Sequence, residues 1–569
     1  MQSSFADKIQ MQHQLFAELS SMFGKEVPLY DKSLLVNLEV NEVVCKLLSK
    51  LHSGFAITRE QLERTSGERH GAIRIGRPDE YRWVARFFAA FAMEPHNFYD
   101  MTNVGSKSQP IIATAFRSIH APEHRVFTSL LQTNYFDPET GDRIERLLAE
   151  RNVFSDRAKS LIEKSERQGG LDWTDARDLI REGCERIFKW TGRARDHKLY
   201  QDLSAAGFKI AADIACFESH HLNHLTPNTF CMDLYTAAMK HCMGQLDDAT
   251  FRSRAITALT RLSVQADRHY MRLSFRHLTA EQIEGFAQGV VSLQDISEMV
   301  DSLATSLHRP ELKLSEMKHS GFKDTTEGPS QDTPVLLRQD SYKALTEPVT
   351  FTESDGSTVH SVHTARFGEI EQRFYATTKR GRELYDKCLT EAESAKDADP
   401  TLLAKDFAQY EARYAQPFEP FPKTLGALLE AGIVLGRYSP TSKGRAATGT
   451  LTTTDPTELV RAGFVRVEGL RYEDFLPVSA AGIFASNLNQ YGTKSTAAQK
   501  PKYTQAMLEE IMGKRIIDSD VMYEAMQAQS LLYTYEVLGI LHLVPTDRRK
   551  AMSTAAAACP SRMDAAISA

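Results

Sequence analysis

A chain of 569 residues with 42% apolar and 25% charged side chains has the balance of a globular protein, long enough for two or three domains and for a large core without covalent staples. A formal net charge of −6 gives no global basic field, which argues against a nucleic-acid-binding protein. No stretch approaches the ~18 apolar residues that cross a bilayer, so no membrane association is expected.

The N-terminal run MQSSFADKIQMQHQLF has no basic segment followed by an apolar core, so no secretory signal is expected. The cysteines (Cys45, Cys184, Cys216, Cys231, Cys242, Cys388 and Cys559) form no CxxC pair. Their odd, scattered count suits free thiols in a reducing compartment, and the expected location is cytoplasmic. Helix is expected through the first 60 residues, where Leu15, Leu19 and Phe23 recur at steps of four. The alternating, glycine-bounded GAIRIG reads as a strand, PDEYRWVARFFAAFA as a helix with Pro78 in its first turn, and HRVFTSLL as another strand. Residues 140–208 are charged and helix-rich. KIAADIACFES is apolar enough for a buried strand or a helix end, and it leads into HHLNHLTPNT, where Pro227 argues against a long helix.

Residues 236–310 differ in character. Ile283, Phe286, Val290, Leu293, Ile296, Val300, Leu303 and Leu307 step by three or four, which predicts one long amphipathic helix. Thr279 and Gln282 offer it a capping box, and an earlier helix carries Ile256, Leu259 and Leu262, completing a helical hairpin. A polar loop follows, and strand-like sequence returns in VLLRQ, VTFTE and VHSVHTARFGEIEQRF. Residues 378–415 are again helical. FVRVEGLRYEDFLPVSAAGIFASNL reads as strand, turn and strand, and an Ala/Ser tail over 550–569 is expected to be flexible. The fold class is α+β. No strict βαβ repeat and no phosphate-binding glycine motif is present.

Four stretches hold candidate chemistry. His220, His221 and His224 form H-H-x-x-H, but without the glutamate of the zinc-protease motif. In a strand, Phe367, Glu369 and Glu371 share a face, and burying such charges requires a partner or a metal. YEDFLPVSAAGIFASNL combines Glu473 and Asp474 with small residues that allow close approach of a ligand or simply close packing. In SGERHGAIRIGR, His70 and Arg74 share a strand face ~13 Å apart, unless a bulge at Gly71 shortens the distance. Taken singly, each stretch also fits a plain alternative: satisfied imidazoles, solvated glutamates, tight packing, a basic loop. No hydrolase elbow or nucleophilic cysteine stands out.

In combination and in this order, ERHGAIRIG, HLNHLTPNT, HTARFGEIEQR and YEDFLPVSAAGIF resemble the 2-oxoadipate dioxygenase/decarboxylase family, the 2-hydroxyglutarate synthases. KEVPLYD, HRVFTSLL, PVLLRQDSYKAL and GRELYDKCL extend the likeness from about residue 10 to 490. The resemblance implies a vicinal oxygen chelate-like, half-open β-sheet barrel around one metal, surrounded by helices. It implies His70, His224 and Glu369 as ligands of Fe(II), with His70, Arg74, Val478 and Ser479 meeting the substrate and Arg74 the catalytic clamp on its carboxylate. The implied reaction consumes a 2-oxo diacid and O2, taking 2-oxoadipate to 2-hydroxyglutarate and CO2 as in lysine degradation. Residues 1–235 and 311–549 would form the two parts of the catalytic unit, and 236–310 a helical insertion. The chain departs from the family at Glu218, Ser219 and the extra His220, which stand where Gly-Pro is usual, leaving open whether His220 or Glu371 joins the metal shell. A lyase or isomerase using another metal on this scaffold, and a non-catalytic helical interaction protein, are the competing readings.

Overall fold

The computed structural model describes residues 5–104, 108–476 and 495–558. Two helices open the chain, Lys8–Glu26 and Pro28–Leu51, the second with Pro28 in its first turn. The helix Arg59–Ser66, closed at its start by a Thr58–Gln61 capping box, delivers the chain to strand β1 (Arg69–Ile75). The helix Pro78–Ala89 then leads to β2 (Glu94–Asp100), β3 (Ile111–Arg117) and β4 (His124–Leu131). After a helix-rich stretch comes the short β5 (His224–Pro227). These strands form one five-stranded sheet in the order β2-β3-β4-β1-β5, with β1 parallel to β4 and antiparallel to β5.

The second half of the chain adds β6 (Leu337–Tyr342), β7 (Thr346–Thr352), β8 (Thr358–Thr364) and β9 (Gly368–Arg373). β9 pairs antiparallel with β6. It also adjoins the end of β5, where Asn228 bridges Glu371 and the Thr229 N–H donates to the Glu371 carbonyl at 2.9 Å. The strands therefore run as an open series around β5, and no closed barrel is present among the described residues. The α+β reading holds. The predicted strands GAIRIG, HRVFTSLL, VLLRQ and VTFTE all form, and VHSVHTARFGEIEQRF divides into β8 and β9.

The two faces of the sheet bury different chemistry, as the two-residue period of a strand requires. Ile73 and Ile75 of β1 and Val126 and Leu130 of β4 enter a core with Leu15, Phe16, Leu19 and Phe23 of the first helix. His70, Ala72 and Arg74 point to the opposite side. There Ala72 joins Phe127 and Leu131 in a second core.

The segment 236–310 departs from its expected form. The capping box at Thr279 exists, but it starts a short helix, Ala280–Gly285. A new helix, Leu293–Leu307, begins at its own Ser292–Asp295 box. Between them the chain lies against the end of helix Pro28–Leu51, with Ala287–Gln288 paired to His52–Ser53. A Cβ on Gly289 would stand 1.9 Å from the Lys50 carbonyl oxygen, so this close approach needs glycine and interrupts the helix. Val290 and Leu293, expected on the apolar stripe, are 89% and 66% exposed. The helix Asp248–Gln265 packs on Leu293–Leu307 and on Pro28–Leu51, and their apolar side chains share the core that holds Ala72. Of the tail 550–569 expected to be flexible, the part up to Ala557 belongs to the helix Thr546–Ala557, and 559–569 lie outside the described residues. No described helix is long and apolar enough to cross a membrane.

Candidate metal centre

The register of three strands assembles the site. His70 on β1 lies opposite Thr226 on β5, and Ala72 lies opposite His224, so both imidazoles rise from the same sheet face one row apart. β9 comes alongside and presents Glu369 and Glu371 on its inward face. One ligand atom each of His70, His224 and Glu369 lies within 4.8 Å of the other two. Glu369 Oε2 stands 3.0 Å from His70 Nε2 and 3.2 Å from His224 Nε2, and it accepts a hydrogen bond from the Thr226 hydroxyl at 3.1 Å. All three are buried, at 1%, 4% and 4% exposure. The solvated-glutamate and basic-loop alternatives do not describe this chain.

Glu371 takes a different part. Its Oε2 is 2.7 Å from His70 Nδ1, on the side of the ring away from Glu369. Arg125 donates to Glu371 Oε1 at 2.7 Å, and Arg373 donates to both oxygens at 2.8 Å. This fully buried carboxylate accepts from Nδ1 and fixes the plane of His70, so that Nε2 faces Glu369 and the His224 side of the cluster. Burial works to lower the His70 pKa, but Glu371 and Glu369 outweigh it and hold it above the usual histidine value. Burial dominates at His224 and lowers its pKa to about 4, so that ring is a neutral donor at pH 7. Two aromatic rings close the flanks: Phe367 stacks on His224 at 4.9 Å, and Phe475 meets His70 edge-on at 5.0 Å.

Beneath this layer lies a buried charge network. Arg125, fully buried, also donates to Glu68 at 2.6 Å and to Glu473 at 2.9 Å. Arg471 pairs with Glu68, and Arg276 with Glu473. Asp474 is held by Arg117 at 2.9 and 3.0 Å and pairs with the Tyr523 hydroxyl. Arg125 escapes a reading of sequence because it sits in an apolar strand. An arginine there, in HRVFTSLL, is itself the signal that carboxylates face it.

The other expected residues fall as follows. His220 does not join the His70–His224–Glu369 cluster; its Nε2 is 3.1 Å from Glu80 Oε2, and Arg151 pairs with the same carboxylate at 2.7 Å. Arg74 is buried and paired with Asp213 of the helix Lys209–Cys216. The expected bulge at Gly71 is absent: the β1–β4 register is unbroken from Arg69–His124 to Ile75–Leu130. Gly71 serves packing instead, since a Cβ there would meet Leu225 at 3.0 Å. Arg74 therefore stays ~13 Å along the strand from His70. Val478 and Ser479 lie outside the described residues.

The Glu80 pair gives a pH prediction. Burial raises the Glu80 pKa, but His220 and Arg151 outweigh it and lower it to about 2. His220 is itself kept neutral by burial near neutrality, so Arg151 supplies the counter-charge there. A depressed carboxylate stabilises the fold above its unfolded pKa of ~4.5 and loses that contribution as pH falls toward about 2. Glu80→Gln should therefore be less stable than wild type at pH 7, with the difference shrinking as pH drops below ~4.5. Denaturant titrations at successive pH values measure this, and a difference independent of pH would contradict it.

Comparison with known proteins matches the chain to a family. The family model for 2-oxoadipate dioxygenase/decarboxylase matches residues 15–286 and 245–487. The chain belongs to the 2-oxoadipate dioxygenase/decarboxylase family. A relative of that name from Pseudomonas putida is 32% identical over 549 aligned residues, covering 95% of this chain and 99% of the relative. Another, from Escherichia coli, is 30% identical and covers 92% and 97%. Among solved structures, the hydroxyglutarate synthase of Pseudomonas putida in complex with 2-oxoadipate aligns with a TM-score of 0.65 at 29% identity, over 94% of this chain and 99% of that one. An uncharacterized protein from Shigella flexneri aligns with a TM-score of 0.66 at 26% identity, over 93% and 99%. These family members span nearly the whole chain, so the membership applies to the α+β unit as a whole.

Proposed function

We propose that this protein is an Fe(II)-dependent dioxygenase/decarboxylase that converts 2-oxoadipate and O2 to 2-hydroxyglutarate and CO2, a reaction of the lysine-degradation type, with His70, His224 and Glu369 as the metal ligands. The observation that carries the reading is the convergence of two imidazoles and one carboxylate, all buried, in a chain of this family. The cluster suits an ion. Bonds of ~2.0–2.2 Å to N and O ligands place neighbouring ligand atoms about 3 Å apart, close to the 3.0 and 3.2 Å seen here. Glu369 Oε2 is taken by His70 and Thr226, but Glu369 Oε1 is buried without a hydrogen-bond partner, so the carboxylate keeps an oxygen for an ion. Two histidines and a carboxylate on one side of a metal suit non-haem iron and leave open positions for small ligands.

When bound, iron supplies the positions at which a 2-oxo acid and dioxygen meet, and the electrons that activate dioxygen. The rest is the chain's own work. Glu371 holds the His70 proton at Nδ1, so Nε2 enters the cluster as a lone pair. Phe367 and Phe475 shield the two imidazoles from water. Arg74, paired with Asp213, binds a substrate carboxylate and fixes its pose. At the unbroken strand spacing, Arg74 suits the carboxylate of an extended diacid, while the 2-oxo acid end occupies the metal side. Val478 and Ser479 would complete the substrate contacts. The stoichiometry closes without an external reductant: one carboxyl carbon leaves as CO2, one oxygen atom of O2 enters the new carboxylate, and the other forms the hydroxyl.

The open strand series around the cluster supports a vicinal oxygen chelate-like, half-open barrel. Residues 1–235 supply His70 and His224 and residues 311–549 supply Glu369, which supports two parts of one catalytic unit, with helices of 236–310 packed into the same core. The six described cysteines are free and buried, in keeping with a reducing, cytoplasmic setting.

Oxygen uptake by Fe(II)-loaded protein with 2-oxo diacids of five to seven carbons tests the reading. Uptake greatest with the six-carbon acid is expected, and Arg74→Lys should raise the KM for it ~10-fold or more through loss of a forked charged contact. Oxygen consumption with none of these acids would overturn the proposal. A zinc- or manganese-containing protein that turns over a 2-oxo or hydroxy acid without oxygen would favour a lyase or isomerase on the same scaffold.

A further inference from the structure

A second set of ligand-type atoms converges behind Arg74. Asp213 belongs to the helix Lys209–Cys216, His221 lies just before β5, and His363 is near the end of β8. One atom of each lies within 4.8 Å of the other two. Asp213 Oδ1 stands 3.2 Å from His221 Nε2 and 3.2 Å from His363 Nε2. The three residues are 1%, 3% and 2% exposed.

At such distances hydrogen bonds would be expected, yet Asp213 Oδ1, His221 Nε2 and His363 Nε2 make none. The separations are those of ion pairs, and the three atoms lie close enough together to serve one ion. Buried polar atoms are nearly always satisfied, and three that lack a good hydrogen bond at one point suit a shared partner. The surroundings fit a cation. Asp213 Oδ2 is taken by Arg74, which turns Oδ1 toward the imidazoles. His363 Nδ1 is 3.0 Å from the Tyr200 hydroxyl, an outer partner that orients the ring and leaves Nε2 to face inward. Trp190 stacks on His363 at 5.8 Å and meets His221 edge-on at 4.6 Å, walling the space off from water. A four-coordinate ion with bonds of ~2.0–2.1 Å has ligand edges of about 3.3 Å, against the 3.2 Å found twice here.

We propose that Asp213, His221 and His363 form a second, structural site for a divalent cation of the zinc type, one whose carboxylate ligand is shared with Arg74. Imidazole and carboxylate donors select this class of ion. An ion on Oδ1 fixes Asp213, and through Oδ2 fixes the position of the Arg74 guanidinium. The site stands whether or not the His70 cluster carries iron.

Zinc is the probe. Protein stripped with chelator and reloaded with Zn2+ is desalted, and metal per chain is measured by mass spectrometry. All forms carry His308→Ala, which removes the solvent-facing His241–Asp248–His308 cluster. Two equivalents are expected in this background, one after adding His224→Ala, one after adding His363→Ala, and none with both. One equivalent that survives His224→Ala and disappears with His363→Ala would support the second site and count against the first. A single equivalent lost wholly with His224→Ala would overturn the second site and reduce the three residues to supports for Arg74. Two equivalents in every form would mark the zinc as adventitious and overturn it equally. Should His363→Ala fail to fold, anomalous scattering at the zinc edge in crystals of the otherwise unaltered protein decides: a peak between Asp213, His221 and His363 supports the site, and a peak at the His70 cluster alone overturns it.

Discussion

Glu369→Gln is expected to abolish turnover while leaving the fold intact. The amide keeps the shape that Thr226 and His70 contact but removes the charge that faces both imidazoles. Losing even an outer partner of a metal ligand costs 10–100-fold in metal affinity, so losing the carboxylate ligand itself should cost ~100-fold or more. Stability of the metal-free protein should fall modestly at pH 7, because burial works to raise the Glu369 pKa but His224 and His70 outweigh it and hold it below the usual carboxylate value. Metal titration beside thermal melting separates the two effects. A Glu369→Gln protein with wild-type metal affinity and turnover would remove Glu369 from the site.

Glu371→Ala should have the opposite balance, with a large loss of stability and a partial loss of metal. Glu371 is the counter-charge for Arg125 and Arg373, both fully or almost fully buried, and removing one member of a buried ion network leaves the others uncompensated. Such losses run to ~3–5 kcal/mol. The same change frees His70 Nδ1 of its acceptor, so metal affinity should fall ~10–100-fold. Glu371→Gln should recover part of the affinity, because an amide oxygen still accepts from Nδ1, and little of the stability, because the charge is gone. Denaturant unfolding of the metal-free forms checks the first part, and metal titration the second. A Glu371→Ala protein as stable as wild type would show that Arg125 is neutralised by Glu68 and Glu473 alone.

The contrast between the two glutamates shows where sequence stops being informative. HTARFGEIEQR places Glu369 and Glu371 on one strand face through period-two alternation, and β9 shows them there. Which of the two faces His224 depends on how β9 lies against β5, a contact made through Asn228 that no local pattern encodes. Strand identity was legible where alternation or an apolar run met a glycine or proline boundary, as in β1 and β4. The long helix expected over 283–307 failed because its interruption comes from the Lys50 carbonyl pressing on Gly289, a contact from far along the chain. His70 and His224 were identifiable only by family resemblance, since their meeting depends on the register between β1 and β5. The Asp213–His221–His363 group had no readable signal: three elements, 150 residues apart in chain order from the first to the last, meet only in the folded protein. Arg74 was found as a residue, but its neighbour was not; the expected bend at Gly71 gave way to a regular strand and an aspartate on a facing helix.

The most direct test of the central claim is the fate of labelled dioxygen. Fe(II)-loaded protein is supplied with 2-oxoadipate under 18O2, and the products are analysed by mass spectrometry together with the CO2 released. The proposed reaction predicts 2-hydroxyglutarate carrying both labelled atoms, one in a carboxylate and one in the hydroxyl, with one CO2 released for each O2 consumed. A five-carbon product without label, or substrate consumed with no oxygen uptake, would contradict a dioxygenase and move the site to redox-neutral metal chemistry.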